Sequence, residues 1–360
     1  MECGSSGETQ SGNTRRKSRK YKQINFTCRP AGLRDGPGCQ NGVDAFMMFN
    51  KIITLSLNPV ADITFYVNRY VPGVDNVVEN ELYDAAGKAV DVSRVLRSYE
   101  IANTALIVAG QENSKRYFER LKDENVTTRV IYTEGRLREN ISIVTPDGVL
   151  TRLVRKSPEL RHRTIDELET ALSEEIQKPA TLVVVAGKMP DGVTDELFTE
   201  ICGFIKECGG VIALDSQNMT LKNIAKIKPW VVKPNFDELC ALVGRKPVGQ
   251  EEIKEAVKEV SEAGAHHVLA SLGEEGMLYT DGKVFYKADV PELSEIKSTI
   301  GAGDAALAGF IIAHDYKYDL KRSVQFAAAF GTASCMVEGT NPPRRISVAM
   351  INNQVNVYEI

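Results

Sequence analysis

Ser298-Thr299-Ile300-Gly301-Ala302-Gly303-Asp304-Ala305-Ala306-Leu307-Ala308-Gly309-Phe310 is the stretch on which the reading turns. Three small residues, Gly301, Ala302 and Gly303, stand before an acid, Asp304. An apolar, helix-forming run follows to residue 313. Glycines at a helix start let backbone N–H groups approach a ligand, and the helix N-terminus favours an anion. A carboxylate is costly beside an anion site. The economical reason for Asp304 is a general base that takes a proton from a hydroxyl attacking the held phosphoryl group. Two other readings stand beside this one. The motif loosely matches a dinucleotide fingerprint, but residues 292–298 before it are too polar for a central parallel strand, and no βαβ unit follows. It also fits a plain glycine turn with Asp304 as a helix-capping residue.

Working outward, residues 182–186, 211–215, 231–233 and 267–271 are continuously apolar and alternate with helical segments at 194–207, 235–243 and 250–263. Strands apolar on both faces are covered on both faces, so the expected class is α/β, with a mostly parallel sheet between helices. Residues 52–57 and 104–109 read as further strands, and 89–99 and 114–124 as helices. Short, half-polar alternating segments within about 63–83 and 128–155 fit that sheet poorly. They read as a small separate β-sheet, a cover over the site. A hairpin (277–280, 284–287) and two helices (304–314, 320–337) complete the pattern.

Residues 1–46 differ in composition, with a basic cluster at Arg15, Arg16, Lys17, Arg19, Lys20 and Lys22 and little apolar content. The expectation is a disordered extension, with the folded domain spanning 47–360. Charged residues make up 26% and the formal net charge is −4, which does not advertise nucleic acid as a partner. No apolar run reaches the ~18 residues that span a membrane. The seven cysteines form no Cys-x-x-Cys pair, which argues against a zinc site or a disulfide framework and for a reducing cytoplasm.

Ligands of open α/β sheets gather at the carboxyl ends of the strands. Polar residues stand there: Asn58 and Asp62, Gly187 and Lys188, Asp215 and Ser216, Lys233 with Asn235 and Glu238, and Ser271 to Gly276. Asn235 and Glu238 share one face of a helix start, which suits a water-mediated Mg²⁺ or a simple helix cap. No Gly-x-x-x-x-Gly-Lys-Ser/Thr run occurs, so a P-loop is excluded.

Together these residues resemble the phosphofructokinase B carbohydrate kinases of ribokinase-like fold, and within them the 1-phosphofructokinase and tagatose-6-phosphate kinase branch. The match runs from about Lys51 to Gly339. It includes Leu57-Asn58-Pro59 with Asp62, Gly87-Lys88 with Val92-Ser93-Arg94, Arg138 with Asn140, Lys233-Pro234-Asn235 with Glu238, Ser271-Leu272-Gly273 with Gly276, and Thr299 to Asp304. The resemblance implies an ATP-dependent sugar-phosphate kinase acting on a ketohexose phosphate. Asp304 is then the base, and Gly301, Ala302 and Gly303 are the phosphoryl cradle. Lys233, Asn235 and Ser271, Leu272, Gly273, Glu274, Glu275 and Gly276 line the ATP site. Asn235 and Glu238 organise Mg²⁺. Asp62, Gly87, Asp91, Asn140 and Lys188 face the acceptor, and Lys88 and Arg138 pair with its phosphate. The lid also implies a homodimer.

The chain departs from that branch where the sugar binds. Ala86-Gly87-Lys88-Ala89-Val90-Asp91 replaces Gly-Gly-Lys-Gly-x-Asn, and Ala186-Gly187-Lys188 replaces Ser-Gly-Ser. Asp91 and Lys188 are therefore expected to face one another as a compensating pair. The departures leave two alternatives open. One is a regulator that binds sugar phosphate or nucleotide without turnover. The other is a kinase of an unphosphorylated sugar or a nucleoside.

Overall fold

The structure, a computed structural model, describes residues 49–176 and 180–360. The expected extension at 1–46 lies outside the described residues. In chain order the elements are β1 (Lys51–Ser56), β2 (Val60–Val67), β3 (Val78–Ala86), α1 (Lys88–Ser98), β4 (Thr104–Gly110), α2 (Lys115–Asp123), β5 (Thr127–Thr133), β6 (Arg138–Val144), β7 (Leu150–Val154) and α3 (His162–Glu175). There follow β8 (Thr181–Ala186), α4 (Asp195–Glu207), β9 (Gly210–Asp215), α5 (Leu221–Ile227), β10 (Val231–Val232), α6 (Phe236–Val243), α7 (Gly249–Glu262), β11 (His267–Ser271), β12 (Met277–Thr280), β13 (Phe285–Asp289), α8 (Ala302–Asp315), α9 (Leu320–Ser334), α10 (Arg345–Asn352) and β14 (Asn356–Glu359).

Ten strands form one sheet in the order β14-β13-β12-β11-β10-β9-β8-β1-β4-β5. The run from β11 to β5 is parallel, and β12, β13 and β14 are antiparallel to their neighbours. The inner strands are apolar because both faces are covered. Ile53, Leu55, Val183 and Val185 pack on the side of α3 to α7. Ile52, Leu182 and Val184 pack on the side of α1, α8, α9 and α10. The chain starts in the middle at β1, moves out through β4 and β5, then returns to β8 on the other side. The switch point between β1 and β8 is where such sheets bind ligands.

The second sheet has the order β3-β2-β6-β7 and is the expected cover. One part of the expectation is corrected. The strand near residue 130 is not in the cover: β5 is the parallel edge of the large sheet, paired with β4 from Thr104↔Thr127 to Gly110↔Thr133. An edge strand with one open flank alternates buried and accessible residues, here Ile131 and Thr133 against Val130 and Tyr132. That pattern is the same as a lid strand's.

Candidate active site

Helix α8 sets the site. Its residues from Asp304 to Ala313 are all buried. A Cβ on Gly309 would lie 2.8 Å from the Phe330 ring, so α8 and α9 pack at backbone distance. The helix N-terminus is thereby fixed. Gly301 precedes it with φ +80°, a left-handed conformation that suits glycine, and no side chain caps the helix. The first-turn amides of Gly303 and Asp304 have no carbonyl a turn behind them and are left to a ligand.

Asp304 sits on that first turn, 6% exposed. Its Oδ1 has no hydrogen-bond partner among the described residues. Burial pushes its pKa up to about 7, Asp215 adds to the rise, and Lys88 and Lys233 oppose it. A buried acceptor left unpaired costs on the order of 1–3 kcal/mol, which a ligand donor would recover.

Around Asp304 runs a chain of alternating charge drawn from four elements. Asp215, at the end of β9, is fully buried. Its carboxylate meets the Lys233 ammonium at 3.0 Å and the Lys88 ammonium at 2.9 Å. Lys88, the first residue of α1, also reaches Glu238 Oε1 at 3.1 Å. Burial would lower Lys88, but Asp215, Asp304 and Glu238 outweigh it and hold the ammonium charged. Lys233 lies over the glycines: a Cβ on Gly303 would stand 2.8 Å from its Nζ. The cradle therefore offers backbone amides and a buried cation together.

The loops after β10 and β11 lie side by side, linked by the Ser271 amide donating to Pro234 O at 3.0 Å. Asn235 and Glu238 form a reciprocal capping box. The Asn235 side chain accepts from Glu238 N at 2.8 Å, and Glu238 Oε2 accepts from Asn235 N at 2.9 Å. Both thus do the work of a helix cap. In the loop Ser271–Gly276, Gly276 has φ +82° and a Cβ there would lie 2.0 Å from Ala288 O, so only glycine closes this turn. Glu274 and Glu275 are exposed.

The second sheet carries a further group of the expected residues. Asp62, on β2, accepts from Asn140 Nδ2 at 2.7 Å and from Arg152 Nη2 at 3.4 Å. Asn140 Oδ1, Arg138 Nε and Asn58 Oδ1 are buried without partners among the described residues. Burial lowers the Arg138 pKa, and Asp62 opposes the shift.

Two expectations meet a different geometry. The Lys88 ammonium, expected at the acceptor's phosphate, lies between Asp215 and Glu238. Asp91 does not pair with Lys188. Its carboxylate accepts from Gly87 N at 3.2 Å and meets Arg94 Nη1 at 3.4 Å, one turn along the same helix. Lys188 is exposed and makes no ion pair among the described residues. Asp215 is one of the strand-end polar residues named from the sequence, but nothing local to it reports its two lysine partners. Nor does anything local report the contacts of Arg94.

A family model described as pfkB family carbohydrate kinase matches residues 55–346, most of the chain. The chain belongs to the pfkB family of carbohydrate kinases. It is a phosphotransferase with an alcohol group as acceptor. Over 284 residues it is 29% identical to a 1-phosphofructokinase of Haemophilus influenzae, covering 78% of this chain and 89% of that protein. It is 27% identical to a tagatose-6-phosphate kinase of Staphylococcus epidermidis over 86% of this chain and all of that one. Among solved structures, Escherichia coli phosphofructokinase-2 in complex with fructose-6-phosphate superposes with a TM-score of 0.77 at 24% identity, over 84% of this chain and 98% of that chain. At that identity the superposition speaks for the ribokinase-like fold alone. Among the described residues of this kinase, no helix is long and apolar enough to cross a membrane.

Proposed function

We propose that this kinase transfers the γ-phosphoryl group of ATP to a hydroxyl of a ketohexose phosphate, of the fructose 1-phosphate or tagatose 6-phosphate type. Asp304 is the general base. The observation that carries the reading is its buried, unpartnered Oδ1, with a pKa near neutrality beside uncapped helix amides. A base is most useful when its pKa lies near the working pH. Asp304 takes the hydroxyl proton as that oxygen attacks the γ-phosphorus. The bond to the bridging oxygen breaks and ADP leaves with the electron pair. In the cradle of Gly301, Ala302 and Gly303, where the Ala302 amide already donates to Thr299 O, the free amides of Gly303 and of the adjoining Asp304, with the Lys233 ammonium, meet the charge that develops on the phosphoryl oxygens.

Ser271 to Gly276 offer backbone to the nucleotide, while Glu274 and Glu275 point to solvent. Mg²⁺ fits these residues as an ion carried by the phosphates. Among the described residues no group of three or more His, Cys, Asp or Glu side chains is placed to hold a metal ion, and Mg²⁺ commonly keeps several waters and takes one or two carboxylates beside substrate phosphates. Glu238, with Asn235, would hold it through water, where it would neutralise phosphate charge. Asp62, Asp91 and Asn140 face acceptor hydroxyls. Arg138, with its free Nε, and the uncommitted Lys188 are the cations for the acceptor's own phosphate. The names of the two relatives, both kinases of phosphorylated hexoses, support an acceptor of that class. ADP release measured against phosphorylated and unphosphorylated hexoses tests the reading.

The cover is also proposed to pair with its copy in a homodimer. Leu150, Leu153 and Val154 on β7 are 58%, 53% and 64% exposed, and Val77 and Val78 before and in β3 are 72% and 44% exposed. Apolar residues gathered on one small sheet mark an interaction face. A structure of the Escherichia coli neighbour is described as its tetrameric inhibited form. Sedimentation velocity at micromolar concentration should show a dimer that Leu153→Asp converts to monomer. A dimer unchanged in that variant removes the lid as interface.

A further inference from the structure

Arg94 is among the largest fully buried side chains of the described residues, and the chemistry above does not use it. Its guanidinium joins four separate segments. Nε and Nη2 donate to the two oxygens of Glu124, beyond α2, at 2.6 and 2.9 Å. Nη1 donates to Thr340 O at 3.2 Å and to Thr340 Oγ1 at 3.0 Å, and Nη2 also donates to Asn341 Oδ1 at 3.2 Å. Nη1 meets Asp91 Oδ1 at 3.4 Å, and Asp84 of the lid strand β3 lies 4.0 Å from Nη2. This fan of planar donors cannot be reproduced by a lysine, whose ammonium is a point charge.

Asp91 is the member of this cluster that shares the first turn of α1 with Lys88, whose ammonium meets Asp215 and Glu238. It is 4% exposed and sits on the first turn of α1; burial raises its pKa well above the ordinary carboxylate value, Asp304 and Asp62 add to the rise, and Arg94 and the Gly87 amide oppose it. Asp304 and Asp62 are the proposed base and the acid of the cover. A buried carboxylate needs a fixed donor, or it turns away or loses its charge. Asp91 has two: the Gly87 amide on one oxygen and Arg94 on the other. Thr340, which aims the Arg94 Nη1, also packs on Gly301: a Cβ there would be 3.6 Å from Thr340 Cβ. The same arginine thus contacts Asp91, lies 4.0 Å from Asp84 of the lid, and is linked to the phosphoryl cradle through Thr340.

We infer that Arg94 is a positioning residue for the acceptor: it holds the Asp91 carboxylate in place and partly charge-balanced, so that the remaining lone pairs receive acceptor hydroxyls. The inference rests on the proposed acceptor class, phosphorylated hexoses. It also explains how the site tolerates an acid at this position without a contact to Lys188.

The test is a mutant cycle read as acceptor binding. Calorimetric titration with fructose 1-phosphate, fructose 6-phosphate and tagatose 6-phosphate, without nucleotide, gives Kd for wild type, Arg94→Lys, Asp91→Asn and the double variant. Coupled neighbours are non-additive. Arg94→Lys should weaken binding about tenfold in the wild-type background and less than about twofold beside Asp91→Asn. A merely structural arginine gives the same factor in both backgrounds, and that result overturns the inference. So does an unchanged Kd in Arg94→Lys, or a wild type that binds none of the three. If Arg94→Lys does not fold, Thr340→Val, which removes one acceptor aiming Nη1, replaces it with a smaller shift and the same background dependence. Binding without turnover would sink the phosphoryl-transfer reading alone. Turnover with equal factors would sink the Arg94 claim alone.

Discussion

Asp304→Asn should reduce acceptor-dependent ADP release by about 10²–10⁴-fold, the usual worth of a positioned proton acceptor. Nucleotide affinity should stay within a few-fold, because asparagine keeps the shape of the first turn of α8. The same substitution has a signed effect on stability. The folded pKa of Asp304, about 7, lies above its ordinary 3.8. The folded protein therefore binds this proton more tightly than the unfolded chain does. Stability from the protonated carboxyl is fully present below about pH 4 and is lost as pH rises through about 7. Above that pH the wild type carries a buried ionised carboxylate that the variant lacks. Asp304→Asn should unfold at a higher temperature than wild type at pH 8, with the gap closing as pH falls towards 4. Turnover near the wild-type rate in this variant would remove Asp304 as the base.

Asp215→Asn is the second large effect. Asp215 is fully buried and neutralises Lys88 and Lys233 at once. Burial alone would raise its pKa, but the two lysines hold it below the ordinary carboxylate value. Its charge is therefore present at neutral pH. Removing it leaves Lys233, 2% exposed, without its counter-ion. Breaking a buried pair in this way costs about 3–5 kcal/mol, readable by urea unfolding. The effect on the base is signed as well. Asp215 is the largest charge raising the Asp304 pKa, and Lys88 and Lys233 lower it. Without Asp215, and with both lysines freed, Asp304 should ionise at lower pH. The acid limb of the pH–rate profile should move below its wild-type position near 7. An unmoved limb would show that the charges around Asp304 do not set its ionisation.

The parallel core of the fold was legible because its strands carry a local signature. Residues 182–186 and 211–214 are apolar on both faces, as a doubly covered strand is. Strand β5 was misplaced because alternation at a sheet edge and alternation in a lid are the same pattern. Helix α3, helix α10 and strand β14 were not singled out. The last of these is an edge strand of four residues with one buried side chain.

The site divides in the same way. Gly301 to Asp304 and the pair Asn235/Glu238 are each local in sequence, and the structure places both at the switch-point end of the sheet. The partners that tune them are not local. Lys88 and Asp215 are 127 residues apart, and Arg94 and Thr340 are 246 apart. No periodicity or spacing reports such a contact. That is why the expected Asp91–Lys188 pair gave way to a pair within one helix turn.

The role proposed for Asp304 is phosphoryl transfer to an already phosphorylated ketohexose. It is tested most directly by ADP release with Mg²⁺-ATP against fructose 1-phosphate, tagatose 6-phosphate, fructose 6-phosphate, unphosphorylated hexoses and nucleosides. The expected result is release well above the acceptor-free rate with at least one of the phosphorylated ketohexoses, and a product carrying two phosphates. Release that stays at the acceptor-free rate with all three, or that rises only with an unphosphorylated sugar or a nucleoside, would contradict it.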